Sequence, residues 1–392
     1  MNYYAGLDVS LEETAICIVD ETGAIVRELR APSDPESLIS AFNSIALPMV
    51  RIGLEACSQS AWLHQGMARS GLPVLCIETR QAKAAMGAMP NKTDRNDARG
   101  LAQIIRTGWY RQVHVKSAPS RMSRSLLVAR RTVLCKVRDM ENAVRAVLRE
   151  SGLKVGAPGR KLFATRVREL AETDPSLADI TEPLLAIIAA MHCHLERLTR
   201  RVLEAVRVEP ICRQLMTVPG VGPLTALAFR ATVDRPDRFR RSRDVGAHLG
   251  LTPRRYQSGE TDVQGRVSRC GDELARTLLY EAAHTLLTRC KKWSALKAWG
   301  MGIAKRRGMA KARVAVARKL AVILHRMWSD QTEFRWGRFL QARQHEEAQS
   351  ESRLRRRVAS FPWGRRARRS RLESGTSAQL KVAKQIETPC SP

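Results

Sequence analysis

The chain has 392 residues, too many for one ordinary core, and 44% hydrophobic with 27% charged residues is a globular balance, so two or three domains are expected. A net charge of +29 favours a polyanionic partner, because each Lys or Arg set against a phosphate releases counterions. A membrane is the competing acceptor, but the longest apolar run, Leu184 to Met191, falls far below the roughly 18 residues that span a bilayer. Asp8, Glu12 and Glu13 also stand where a signal peptide needs an apolar stretch, so a cytoplasmic protein without a membrane partner is expected.

Residues 1–115 read as α/β. Tyr3 to Asp8, Thr14 to Val19, Val26 to Leu29, Val50 to Leu54 and Pro73 to Ile77 have strand character, with a turn at Glu21-Thr22-Gly23. Ala61 to Arg69 and Arg95 to Arg106 have helical character, which predicts a mixed sheet covered by helices. Residues 116–208 read as helical. Val133, Val137, Met140, Val144 and Val147, then Leu184, Ile188, Met191, Leu195, Leu198 and Val202, repeat at alternating steps of four and three, as in a coiled-coil seam. The pattern fits two core helices packed together and a dimerising helical arm equally well. Residues 209–336 read as mainly helical with one polar, Gly-rich loop. Residues 337–392 form a basic tail, with nine arginines between Arg353 and Arg371, suited to holding nucleic acid without sequence preference. Nine scattered cysteines without a CxxC pair argue against a disulfide framework and a zinc site; Cys193 between His192 and His194 reads as an ordinary helix position.

Asp8 and Glu55 each end an apolar strand, where open α/β sheets gather ligands. Thr93 is placed to cap a helix on which Asp94 and Asp97, three residues apart, share a face. Four converging carboxylates repel unless a cation lies among them, and an all-oxygen set suits Mg²⁺ or Mn²⁺. Two strand-end acids followed by D-x-x-D resemble the DEDD site of RuvC-like nucleases. Further on, Val218 to Ala226 (VPGVGPLTA) looks like a helix-hairpin-helix turn whose Gly220 and Gly222 let backbone N–H groups approach phosphate. The following loop, from Gly250 to Asp272, gathers Arg254, Arg255, Arg266 and Arg269 around Ser258 and Ser268. On composition Ser258 is a turn serine.

Lys92 to Ser117 (KTDRNDARGLAQIIRTGWYRQVHVKS), VPGVGP, GLTPRRYQSGE and WSALKAWGMGIAKRRGMAKA from Trp293 together resemble the DEDD transposases of the IS110 insertion-sequence family. The resemblance runs in order over roughly residues 1 to 336. It implies an RNase H-like (RuvC-like) N-terminal domain, a helical coiled-coil middle, and a mainly helical C-terminal transposase domain. It implies Ser258 as nucleophile, acting with the Asp8, Glu55, Asp94 and Asp97 set of another subunit in a homo-oligomer, dimer or tetramer. It further implies DNA as substrate and a structured non-coding RNA that bridges target and donor by base pairing. Lys305, Arg306 and Arg307 join the expected nucleic-acid contacts. The loop reads SGE where many members have SGG, and Ser268 is the fallback nucleophile. A phosphoserine ester would conserve bond energy, which agrees with the lack of a GxxxxGK[ST] phosphate loop. Two other readings compete: a junction-resolvase type metal nuclease with a structural Ser258, and a non-catalytic nucleic-acid-binding protein.

Overall fold

A computed structural model describes residues 1–87, 91–334 and 336. The basic tail expected at 337–392 lies outside the described residues. The chain divides into two compact units, Met1–Cys212 with Pro223–Arg238, and Arg213–Gly222 with the residues from Phe239 onward.

In the first unit, β1 (Tyr3–Val9), β2 (Glu13–Val19) and β3 (Ile25–Pro32) form an antiparallel meander. After α1 (Pro35–Ile45), β4 (Met49–Glu55) pairs parallel to β1. After α2 (Ser60–Arg69), β5 (Val74–Ile77) adds parallel to β4, giving the order β3-β2-β1-β4-β5. All five strands fall where the sequence places them, to within a residue or two at most ends; α1 was not anticipated. Its start is nonetheless encoded: Asp34 accepts from the Ser37 N–H and Pro35 opens the first turn.

Alternation along the strands splits the sheet into two faces. One carries Ala5, Leu7, Ile16, Ile18, Ile52 and Leu54, packed on Leu38 and Phe42 of α1 and Leu63 and Met67 of α2. Each of these apart from Ala5 contributes about 1.5–3 kcal/mol by leaving water. The other face receives α4 (Asp94–Thr107), which follows the short α3 (Thr79–Met86). Ala98 and Ala102 of α4 meet Ala15, Cys17 and Val19, while Leu101, Ile104 and Ile105 meet Leu75 and Ile77.

Two long helices follow. α5 (Ala118–Glu150) starts at a Ser117 cap, and Gly152 at φ +77 marks its end. α6 (Phe163–Ala171) leads into α7 (Pro175–Val208), capped by Asp174. Val144 and Leu148 of α5 share one buried cluster with Phe163 and Val167 of α6 and Leu185 and Ile188 of α7, so the seam positions pair within a single chain. By length and composition α7 is apolar enough to cross a membrane, at mean hydropathy 1.3 over its best 18 residues. The expectation of no such candidate counted unbroken apolar runs, and this helix spreads its apolar residues between charges. One stripe of it is buried on α5 and α6, and Glu182 pairs with Arg168 of α6. Beyond α8 (Pro210–Leu215), α9 (Pro223–Val233) packs on α5 and α7.

The second unit begins, after Phe239, with α10 (Asp244–His248) and a hairpin of β6 (Pro253–Ser258) and β7 (Thr261–Val267). α11 (Glu273–Thr288), α12 (Ala295–Arg307) and α13 (Met309–Ser329) form its helical core, with Leu279, Ala283, Leu286, Val316, Leu320 and Leu324 fully buried.

Candidate active site

Two facing glycines position the acidic residues. Gly6 of β1 and Gly53 of β4 are register partners on the α4 face. A Cβ on Gly6 would lie 2.2 Å from the Ala102 backbone nitrogen, and one on Gly53 would lie 2.1 Å from Ile105 Cδ1. The bare strand pair is therefore a floor on which α4 lies flush. Asp8 and Glu55 each follow their glycine by two residues, so both side chains emerge on that face at the carboxyl ends of parallel strands. Thr93 caps α4 as expected, accepting from the Asn96 N–H, and the first turn carries Asp94 and Asp97. Glu28 of β3 holds α4 through ion pairs with both Arg95 and Arg99, whose hydrogen bonds, Arg99's foremost, draw its carboxyl down to about 2.

Asp8 and Glu55 feel the charges around them. Asp8 is pushed up from 3.8 to about 6, first by burial, then by the charges of Asp97 and Asp94. Glu55 is likewise raised, by burial first and then by Asp8 and Asp97. Lys92 opposes the rise at both groups and Lys83 at Glu55; neither lysine was singled out in the sequence. Among the described residues, no three His, Cys, Asp or Glu side chains stand close enough to hold an ion as they are. The donor chemistry still fits a hard divalent cation, because every candidate ligand is a carboxylate oxygen and the set carries a repulsion that such a charge relieves.

Ser258 is the last residue of β6, paired with Thr261 across a two-residue turn in which Gly259 takes φ +54. The polar loop expected here is thus a hairpin. Its strands are exposed on both faces, so they lack the apolar alternation that marks a strand. Glu260 needs no positive φ, so SGE closes the turn without a second glycine. Ser258 shares its face with the exposed Tyr256, and no described residue hydrogen-bonds its hydroxyl. The base of the hairpin, by contrast, is locked. A Cβ on Gly250 would lie 2.2 Å from the Cys270 carbonyl oxygen, one on Gly271 would lie 1.9 Å from that of His248, and Arg276 donates to both the Leu249 and Cys270 carbonyls. Ser268 belongs to this base: its N–H bonds the Thr252 carbonyl and its own carbonyl accepts from Arg254.

Residues 5–152, which hold all four acids, match the transposase model built on the DEDD transposases of IS110 elements. Residues 212–298, which hold Ser258, match the transposase IS116/IS110/IS902 family. The chain belongs to the IS110 family of transposases. A transposase for insertion sequence element IS1111A from Coxiella burnetii is 28% identical over 85% of this chain and 91% of its own length. A Pseudomonas aeruginosa protein described as a "Probable family 20 transposase" is 29% identical over 74% of this chain and 87% of its own. A solved RuvC from Thermus thermophilus aligns with 28% of this chain and 99% of its own at 13% identity and TM-score 0.22, a likeness on which no conclusion rests.

The other residues singled out in this transposase are distributed as follows. Arg255 is held by Asp262 across the hairpin in a two-bonded ion pair of 2.8 and 2.7 Å. Arg266 is exposed on β7, Arg269 takes a left-handed φ of +55, and Lys305, Arg306 and Arg307 are exposed in the last turn of α12. Gly220 has a tighter role than anion approach: at φ +87 its Cβ would lie 2.5 Å from the Ala282 carbonyl oxygen of α11, so its bareness lets the turn pack. Gly222 faces open space. His192 lies 3.9 Å from Glu141, and Cys193 is exposed. Sequence reasoning also missed Asp234. Burial alone would raise its carboxyl, but hydrogen bonds from Ser117, Ser120 and His114 hold it well below the usual range. The serine and histidine both address the carboxylate rather than each other, which makes a clamp between α9 and the start of α5, not a nucleophile–base pair.

Proposed function

We propose that this transposase cuts and rejoins DNA strands by phosphoryl transfer, with Ser258 as nucleophile and Asp8, Glu55, Asp94 and Asp97 as the holders of Mg²⁺ or Mn²⁺. The observation that carries the reading is the glycine floor that lets α4, whose first turn carries Asp94 and Asp97, lie flush on the strands that end in Asp8 and Glu55, with Asp8 raised to about 6 by burial and by the charges of Asp97 and Asp94. The strand order β3-β2-β1-β4-β5, antiparallel then parallel, supports an RNase H-like first domain. The relatives' descriptions as insertion-sequence transposases support DNA as the substrate.

The ion, when bound, supplies charge stabilisation at a phosphate and lowers the pKa of an attacking or leaving oxygen. The carboxylates hold and orient it, and the rigid sheet fixes two of them. The Ser258 oxygen attacks phosphorus and displaces a strand oxygen; the resulting phosphoserine ester keeps the bond energy, so a second strand oxygen reverses the step without ATP. The serine hydroxyl, weak at neutral pH, must be activated by what the substrate and the acidic set bring to it. The motif resemblance supports a homo-oligomer, dimer or tetramer, and a structured non-coding RNA bridging two DNA partners.

The test is denaturing electrophoresis of labelled DNA carrying the element junction, with and without RNA from the flanking element. Wild-type protein in Mg²⁺ is expected to form a covalent adduct. Ser258→Ala is expected to bind nucleic acid normally yet form none, since one hydroxyl contributes little beside many phosphate contacts. Ser268→Ala is expected to keep the adduct. An adduct that survives Ser258→Ala refutes the assignment of the nucleophile.

A further inference from the structure

A cavity of about 1090 Å³ opens in the second unit between the β7 side of the hairpin and the helices α12 and α13. Seven of its lining side chains are Lys or Arg and none is acidic. Arg243, Arg266, Arg307, Lys311 and Arg318 form no ion pair with any described residue. The floor is apolar: Val314, Ala315 and Val322 project from the same stripe of α13 as Lys311 and Arg318, at helical spacing. One aromatic ring lines it, Trp299 of α12, which is 43% exposed although large apolar side chains gain by burial.

The fold does not need this combination. Gathering five cations that no described acid offsets costs repulsion, and leaving an indole half in water forgoes its burial. Both costs are removed by a ligand with spaced negative charges and flat apolar rings. A phosphate ion has no ring, and an acidic peptide has charges but little to lay flat on an indole. A base-paired duplex has both, but its bases are stacked on one another and closed to a side chain from outside. An unpaired strand offers phosphates and free base faces together, and a basic groove with an aromatic platform is the usual way proteins hold one. The volume, just above the roughly 300–1,000 Å³ of ligand pockets, also exceeds what a lone phosphate fills.

We propose that this groove binds an unpaired stretch of the DNA strand being cut, with a base stacked on Trp299 and its phosphates on Arg243, Arg266, Arg307, Lys311 and Arg318. The assignment to that strand rests on Ser258 as nucleophile. Gln264, Gly265 and Arg266 form one wall of the groove, and β7 is hydrogen-bonded to the strand that ends in Ser258. A strand with its phosphate at the hairpin tip can therefore run the length of the hairpin into the groove. The groove would hold the DNA open beside the break.

The test uses the full-length protein and fluorescence anisotropy with a fluorescein-labelled single-stranded DNA, its duplex, and an RNA strand of the same sequence, titrated over a range of salt. Trp299→Ala is expected to weaken single-stranded DNA binding about tenfold, the loss of one stacked base. Trp299→Phe is expected to keep most of the affinity, and duplex binding is expected to be unchanged in both. The Lys311→Gln/Arg318→Gln double variant is expected to flatten the single-strand salt slope by about 0.7 per charge removed. Equal single-stranded affinity in wild type and Trp299→Ala overturns the proposal. So does an equal loss on duplex, or a loss confined to the RNA strand. The adduct assay separates this from the nucleophile. An adduct that persists in Ser258→Ala while Trp299→Ala loses strand binding sinks Ser258 and keeps the groove; the converse pair sinks the groove and keeps Ser258.

Discussion

The sheet end of the first unit and the hairpin tip of the second place their reactive groups in opposite ways. Asp8 and Glu55 are half-buried, pinned to a rigid strand pair, and shifted by burial and by each other. Ser258 stands in solvent on strands exposed along both faces, and no described residue hydrogen-bonds its hydroxyl. The acids are prepared by the fold before any substrate arrives, at the expense of a standing repulsion. The serine, as the proposed nucleophile, is delivered by the fold but not prepared by it, so its activation is expected to come with the DNA. Damage to the sheet should therefore be felt in stability and chemistry together, and damage at the tip in chemistry alone.

The largest effect expected is loss of strand exchange in Asp8→Ala, Glu55→Ala, Asp94→Ala or Asp97→Ala, with the fold intact by circular dichroism. Full activity of all four variants in Mg²⁺ would remove the metal site, and activity in Asp97→Ala alone would reduce that residue to a supporting role. Next comes Gly6→Ala. Its methyl would enter the α4 backbone, 2.2 Å from the Ala102 nitrogen and 2.5 Å from the Ala98 oxygen, so a loss of about 3 kcal/mol in urea unfolding is expected, with activity falling in step. Should Gly6→Ala unfold at the wild-type midpoint, the glycine floor does not carry the contrast drawn here.

A smaller effect follows from Asp8 itself. Its carboxyl is held at about 6 in the folded chain against an ordinary 3.8, so between these values the folded state binds the extra proton. Stability of the chelator-treated protein should therefore fall as pH rises through that window, by on the order of 2 kcal/mol after allowance for solvent screening. Asp8→Asn should shrink the fall to the part that Glu55 contributes through its own burial, and be the more stable protein at pH 7.5. Mg²⁺ should raise the wild-type melting temperature at pH 7.5 but hardly at pH 4.5, where protons already offset the repulsion. A rise equal at both pH values would speak against carboxylate ligands. The smallest effect belongs to the hairpin: Arg255→Gln breaks a pair whose side chains are 57% and 45% exposed, so the melting temperature should hardly move. A large global loss from this variant would mean the tip is part of the folding core.

Most of the sheet was legible because its central strands, covered on both faces, read as short apolar runs, and α4 because its cap, its D-x-x-D start and its apolar stripe agree. The hairpin was not, since a two-stranded arm with no buried face leaves no period in hydrophobicity; Tyr256 and Val263 are exposed like their polar neighbours. The acids were visible at the ends of apolar strands, but what lets α4 lie against those strands was written one step earlier and passed over. Gly6-Leu7-Asp8 and Gly53-Leu54-Glu55 are the same triplet twice, a bare residue for the helix, a leucine for the opposite core, an acid for the site. The Asp234 clamp had no local signal at all, because its partners lie more than a hundred residues away.

The locked base and free tip of the hairpin give the proposed nucleophile an adjustable reach. Gly250, Gly271 and Arg276 fix where the arm leaves the body, while nothing in the described body sets how long it is. Because side chains alternate, lengthening each strand by one residue turns Ser258 to the reverse side of the ribbon. Lengthening each by two restores its side and carries the hydroxyl about 7 Å outward. Reach and facing are thus coupled in pairs of residues, so related elements could fit targets at different depths by growing this arm in even steps without redesigning either domain.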